Sequence, residues 1–169
     1  LTAKPVMYVC NVDEASVTEG NSYSHELGSY AKSQNAACLV ASARIEAEIS
    51  TIEEESERSA FLETLGLPES GLARVIRSGY SLLALITFFT AGPKEARAWT
   101  LRRGCSALEA AAKIHTDFAR GFIRAEIISY ADYTSLGGEI GAREAGRSRQ
   151  EGREYLVRDG DVILFRFNV

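Results

Sequence analysis

Two short runs in the first third of this chain carry residue types suited to reading a purine base. Asn11-Val12-Asp13-Glu14 follows one apolar run, and Ser42-Ala43-Arg44 closes another. In open α/β sheets, ligands sit at the carboxyl ends of strands. An Asn placed there can offer its NH2 to a purine N7 and its C=O to an exocyclic amine. Glu14, three residues on, can accept from base donors, and backbone N–H groups entering a helix after Ser42 can also face a base. Taken singly, each run also fits plain structure. Asn and Asp are common turn residues, and Ser42 fits an ordinary helix cap.

A third set lies in the second half. Lys94, Arg97, Arg102, Arg103, Lys113, Arg120 and Arg124 are interleaved with Trp99, Phe118 and Phe122. Charge beside aromatic surface suits RNA phosphates and unstacked bases. The alternative is solvated arginines over core aromatics. His115 is a lone histidine and reads as structural. Cys10, Cys38 and Cys105 are far apart in sequence, with no CxxC spacing. They read as reduced core thiols.

The elements that must position these residues follow from pattern. Residues 4–12 and 36–42 read as buried strands, each followed by a helix, over 22–33 and 43–65. The second helix has a possible break at 53–55, and Gly66 is a candidate C-terminal cap. Strand, helix, strand, helix is α/β logic and calls for a parallel sheet. Two strands alone would leave edges unpaired, so residues 1–65 read as the closing third of a larger α/β domain. A connecting helix is expected over 69–83. Two apolar runs flanking Gly92-Pro93 then read as a β-hairpin, 82–101, whose first strand is central. Ser106 and Glu109 form a capping box for a helix over 107–115. A strand is expected at 124–129, with short helices over 130–136 and 139–146. Asp159-Gly160 between apolar runs predicts a second hairpin.

Composition sets the limits. A length of 169 residues holds one domain, or one small domain and part of another, and a hydrophobic fraction of 46% can build a core. No apolar run reaches the roughly 18 residues needed to span a membrane, and no signal peptide opens the chain. A start at Leu1 rather than Met points to a portion of something longer. Net charge is -4. Residues 1–69 hold 4 basic and 12 acidic side chains, whereas residues 70–169 hold 15 and 11. The more basic half is the better polyanion binder.

Taken together, the runs resemble one family. Lys4-Pro5-Val6-Met7-Tyr8-Val9-Cys10-Asn11-Val12-Asp13-Glu14 and Ser42-Ala43-Arg44-Ile45-Glu46-Ala47-Glu48 resemble the YchF family, the Obg-like ATPases among P-loop NTPases. Gly79-Tyr80, residues 85–92 and 95–100, Ile114-His115, Asp117-Phe118, and residues 121–126 and 162–169 look like that family's C-terminal TGS domain. The resemblance implies an α/β remnant of a P-loop NTPase domain (OBG-type G domain, residues 1–65). A connecting helix (66–83) and an α+β β-grasp, ubiquitin-like TGS domain (84–169) would follow. It implies base contacts from Asn11, Val12, Glu14, Ser42, Ala43 and Arg44. In the family, Asn-x-x-Glu replaces the guanine-reading Asn-Lys-x-Asp, which goes with accepting ATP, often better than GTP.

Mg2+ would accompany the nucleotide, and the setting would be cytoplasmic. The ribosome or ribosomal RNA would be the partner, met through Arg97, Arg102, Arg103, Arg120, Phe122 and Arg124, with no membrane and no DNA sequence specificity. The GxxxxGK[ST] loop, the Mg2+-holding segments and the coiled coil are missing from these 169 residues. The chain alone is therefore expected to bind nucleotide weakly and hydrolyse none. The competing expectation is a non-catalytic β-grasp adaptor that binds RNA or protein. A ubiquitin-like sulfur carrier is disfavoured, because the sequence closes on Asn168-Val169 rather than Gly-Gly.

Overall fold

The computed structural model describes residues 4–92 and 95–168. Pro93 and Lys94 of the hairpin break, and Val169, lie outside them. The chain divides into two compact units, 1–83 and 84–169.

In the first unit, β1 (Met7–Asn11) and β2 (Ala37–Ala41) pair in parallel, with Met7 opposite Ala37 and Asn11 opposite Ala41. α1 (Ser22–Ser33) links them. It is capped by Asn21, whose side chain accepts from Ser24 N–H while the Ser24 hydroxyl accepts from Asn21 N–H. α2 (Ala43–Thr51) follows β2 directly. Ile52 then takes an extended conformation and α3 (Glu55–Thr64) begins, so the suspected break is real. α3 ends in a Schellman turn. Gly66 N–H donates to Glu63 O and Leu67 N–H to Leu62 O, with Gly66 at φ 68°, which glycine adopts without strain. Ile45, Ile49, Val17 and Leu67 form a small core.

Two expectations change here. β1 and β2 read as buried strands, yet Val6 and Val9 are about half exposed and Cys10 is the buried residue of β1. α4 (Gly71–Leu82) is more than a connector. Glu46 of α2 accepts from Gly71 N–H (2.7 Å) and Leu72 N–H (3.1 Å). Arg74 donates to Val40 O on β2. The α4 N-terminus is therefore anchored on the first unit by a carboxylate at its positive end.

The second unit is a five-stranded sheet in the order β4-β3-β7-β5-β6. β3 (Leu85–Ala91) and β4 (Ala96–Arg102) form the expected hairpin, and β3 is central, between β4 and β7 (Asp161–Phe167). β5 (Phe122–Ser129) pairs antiparallel with β7 and with the short β6 (Arg149–Glu151). α5 (Ala107–Ile114) has its capping box, Ser106 with Glu109, and covers one face. Ala107, Ala110 and Ala111 let it approach Ile86, Phe88, Ile127, Ile163 and Phe165 closely. α6 (Thr116–Arg120), α7 (Tyr130–Ser135) and α8 (Glu139–Glu144) are short.

The Asp159-Gly160 turn is not a hairpin. Asp159 Oδ1 accepts from Thr87 N–H (2.7 Å), Gly160 N–H donates to Thr87 O (2.8 Å), and Val157 N–H donates to Cys105 O. The turn docks on β3, and the strand that leaves it runs parallel to β3 instead of back along residues 155–157. Local pattern cannot show this, because the partner strand is some seventy residues away in sequence.

Candidate functional site

The end of β1 and the start of α2 meet. Val12 N–H donates to Ala41 O (2.9 Å), carrying the pairing one residue past β1. Asn11 Oδ1 accepts from Ala43 N–H (2.9 Å), thirty-two residues away in sequence. This bond satisfies one of the four N–H groups that a helix start leaves unpaired. The Ser42 side chain does not act as a cap. It is buried, and among the described residues its Oγ has no hydrogen-bond partner. Glu14 opens a single 3-10 turn (Glu14–Ser16) that Asp13 caps, with Asp13 Oδ1 accepting from Ser16 N–H. Arg44 Nε sits 2.6 Å from Glu14 Oε1 and 3.8 Å from Glu48 Oε1.

The structure thus brings Asn11, Val12, Glu14, Ser42, Ala43 and Arg44 into one loop cluster. Among the described residues the Asn11 side chain makes no other hydrogen bond, which leaves both its N–H hydrogens and one carbonyl lone pair unused. Two features escaped the sequence. Spacing does not show that Asn11 caps α2, nor that Glu14 is paired with Arg44.

All three cysteines are free, Cys10 buried and Cys38 and Cys105 half-buried. Cys10 and Cys38 are far apart in sequence, but adjacent strands bring their Sγ atoms to 3.6 Å. Burial, then the Cys38 sulfur, push the Cys10 thiol up, so it is a poor nucleophile at neutral pH. His115 is a cap, with Nδ1 accepting from Asp117 N–H (3.2 Å).

Among the described residues, the basic set of the second unit is not gathered in one place. Arg102 pairs with Leu85 at the start of β3, whereas Arg124 lies opposite Arg166 near the end of β7. These are opposite ends of the sheet. Phe122 is 3% exposed and packs within the α5 core, so it presents no stacking surface, which corrects the expectation. The pairing of β5 with β7 shifts register between Phe122 and Arg124. Arg120 pairs with Asp117 (3.0 Å).

Arg124, Arg143 and Arg166 surround buried Glu126, at 3.9, 2.7 and 3.0 Å. Burial pushes the Glu126 carboxyl up, but the bonds and charges of Arg166 and Arg143 outweigh it and hold it below the usual carboxylate range. Arg97 stacks over Trp99 at 4.3 Å, and Trp99 Nε1 donates to Thr90 Oγ1. Among the described residues, Arg97, Arg102 and Arg103 form no ion pair.

Gly141 to Ser148 reads GxxxxG followed by Arg-Ser, one residue type from a phosphate loop. Gly141 lies inside α8, which follows a helix and not a strand. The context a phosphate loop needs is absent there.

The architecture is a mixed α/β unit followed by a β-grasp-like domain. A family model, YchF-GTPase_C, described as "Protein of unknown function (DUF933)", matches residues 85–168. The whole chain is 53% identical to the ribosome-binding ATPase YchF of Bacillus subtilis (strain 168) and 50% identical to that of Escherichia coli O157:H7. It covers 46% of each, so it spans about half the length of the curated relatives it matches. The structure of the Schizosaccharomyces pombe YchF GTPase superposes with a TM-score of 0.85 at 33% identity, over 98% of this chain and 44% of that one. A GTP-binding protein from Pyrococcus horikoshii OT3 shares the fold, with a TM-score of 0.67 at 20% identity over 98% and 46%. The chain belongs to the YchF family and corresponds to its C-terminal part.

Proposed function

We propose that this chain carries the purine-reading end of a P-loop ATPase (residues 1–65), a joining segment (66–83) and a TGS domain (84–169) that meets the ribosome. The observation that most supports the nucleotide reading is the bond from Ala43 N–H to Asn11 Oδ1. It fixes the Asn11 amide at a strand end, beside a helix start and the buried Ser42 hydroxyl; among the described residues neither the Asn11 NH2 nor that hydroxyl has a hydrogen-bond partner. That is the donor and acceptor set a purine edge needs. ATP is the nucleotide proposed first and GTP second.

Hydrolysis in this class is phosphoryl transfer carried by positioning and charge neutralisation. This chain's part is to orient the base, and so the nucleotide. No GxxxxGK[ST] run occurs in its 169 residues, and the chain alone turns over no ATP. Mg2+ would neutralise phosphate charge. Among the described residues no cluster of three or more His, Cys, Asp or Glu is placed to hold a metal ion. These residues do not fit that ion, and no step is assigned to it.

The relatives named above are called ribosome-binding. Here the proposed contacts are Arg97, Arg102 and Arg103, which form no ion pair among the described residues, with Arg120 and Arg124 secondary. A cytoplasmic setting follows from that partner. Among the described residues no helix is long and apolar enough to cross a membrane.

The test is ATP titration of the full-length protein carrying this segment, wild type against Asn11→Ala. The variant should weaken binding by one or two hydrogen bonds, about 1–3 kcal/mol. Unchanged affinity would place the base elsewhere.

A further inference from the structure

We propose that Arg124 and Arg166, on the sheet face away from α5, hold a backbone phosphate of single-stranded RNA, with Arg143 beside them and buried Glu126 fixing the three guanidiniums. The inference rests on the ribosomal reading above, and joins Arg143 and Arg166 to Arg124 as one site.

Strand alternation places the group. Ala125 and Ile127 of β5 and Phe165 of β7 lie in the core under α5, so Arg124, Glu126 and Arg166 share the opposite face. Arg124 and Arg166 stand directly opposite each other on antiparallel strands, a placement in which like charges repel. Arg143 reaches the same carboxylate from α8. The Glu126 side chain is 8% exposed, whereas those of Arg124, Arg143 and Arg166 are about half exposed. One carboxylate thus lies beneath three guanidiniums that open to solvent.

Its bonds leave donors unused. Glu126 accepts from Nε of Arg166 (3.0 Å) and from one terminal nitrogen of Arg143 (2.7 Å), which Glu139 shares at 2.6 Å. Arg124 stands 3.9 Å from Glu126, beyond hydrogen-bond distance. Among the described residues, the terminal nitrogens of Arg166 and the whole Arg124 guanidinium make no hydrogen bond. Three guanidiniums meet two carboxylates, Glu126 and Glu139, so one positive charge is unbalanced. A phosphodiester carries a single negative charge and accepts paired N–H donors from arginine. A free phosphate carries more charge and is matched less well.

The neighbouring surface favours RNA over an acidic peptide. An open hollow of about 430 Å3 is lined by Ile123, Arg124, Phe165, Arg166 and Phe167, of which Ile123 and Phe167 are exposed apolar side chains. A nucleotide finds charge for its phosphate and apolar contact for its unstacked base. A run of acidic side chains would use the charge and leave the apolar surface bare.

The experiment measures binding of a short labelled oligouridine to the full-length protein across a salt series. The variants are Arg124→Ala, Arg124→Lys and the pair Arg102→Ala with Arg103→Ala, beside wild type. Arg124 is chosen because it makes no hydrogen bond to Glu126, and melting curves check that each variant is folded. Arg124→Ala should weaken binding about threefold to tenfold and flatten the slope of log K against log salt by about 0.7. Arg124→Lys should keep the slope and recover most of the affinity. Oligoglutamate of matched charge and inorganic phosphate, added as competitors, should displace the RNA poorly.

An Arg124→Ala protein that binds with wild-type affinity and slope would overturn the inference. So would a wild type that binds no oligouridine, or a lysine variant as weak as the alanine one. Ready displacement by oligoglutamate would make this a peptide surface, and by inorganic phosphate a free-anion site; either result overturns it. If the Arg102→Ala, Arg103→Ala pair weakens binding while Arg124→Ala does not, this inference fails and the ribosomal reading stands. If the wild type does not co-sediment with ribosomes, the ribosomal reading fails first.

Discussion

In the second unit Phe88, Ala110, Ala125 and Ile127 are fully buried between five strands and α5. In the first, two strands leave Val6 and Val9 half exposed over a core of four buried side chains. The second unit closes its own core. The first positions a loop cluster on a sheet that has two strands among the described residues. Burial is the dominant stabilising term, so the units should respond differently to the same kind of change.

The largest effect is expected at Phe88, whose ring lies near-parallel to that of Trp99 and near-perpendicular to that of Phe165. Phe88→Ala should cost about 3–5 kcal/mol and lower the melting transition followed by Trp99, the chain's single tryptophan. A transition that did not move would mean the second unit's core is not the one described.

Glu126→Gln is next. It removes the charge that three arginines share, and should cost about 2 kcal/mol. The same site predicts a pH dependence. The folded carboxyl titrates below its unfolded value, so its contribution is full above that ordinary value, about 4.3. It is lost as pH falls through the lowered folded value. Wild type and Glu126→Gln should therefore converge in stability in acid. A difference that stayed constant with pH would count against the cluster.

Asn11→Asp separates the two roles of Asn11. Aspartate keeps an acceptor for Ala43 N–H but loses the NH2 donor. The melting temperature of the first unit should barely change, while ATP affinity drops by about tenfold. Equal loss of both would reduce Asn11 to a cap.

The smallest effect on stability is expected for Arg102→Ala with Arg103→Ala, within about 0.5 kcal/mol, since neither side chain has an acid partner among the described residues. Ribosome co-sedimentation should still weaken, with a log K against log salt slope flatter by about 1.4, taking ~0.7 per phosphate on single strands. Equal binding at every salt concentration would leave these arginines as solvated surface.

The same contrast governs what was legible in the sequence. Helix caps were visible because capping is local: Ser106 with Glu109, and Gly66 after α3, both stand where spacing put them. The strand-end runs were visible because Asn11 and Ser42 follow apolar stretches. The parallel pairing of β7 with β3 was not, because Asp159 reaches Thr87 across 72 positions. Phe122 read as surface among arginines because the shift between it and Arg124 breaks simple alternation. The grouping of Arg124, Arg143 and Arg166 on Glu126 joins β5, α8 and β7, and only strand register reveals it.

Nucleotide is expected to meet this chain where the end of β1 faces the start of α2. Amide hydrogen exchange of the full-length protein, with and without ATP, reads that place directly. Added ATP should slow exchange across residues 11–14 and 42–45, where the end of β1 meets the start of α2, and leave β3 to β7 unchanged. Protection that appeared elsewhere, with the 11–14 and 42–45 amides unaffected, would contradict the account.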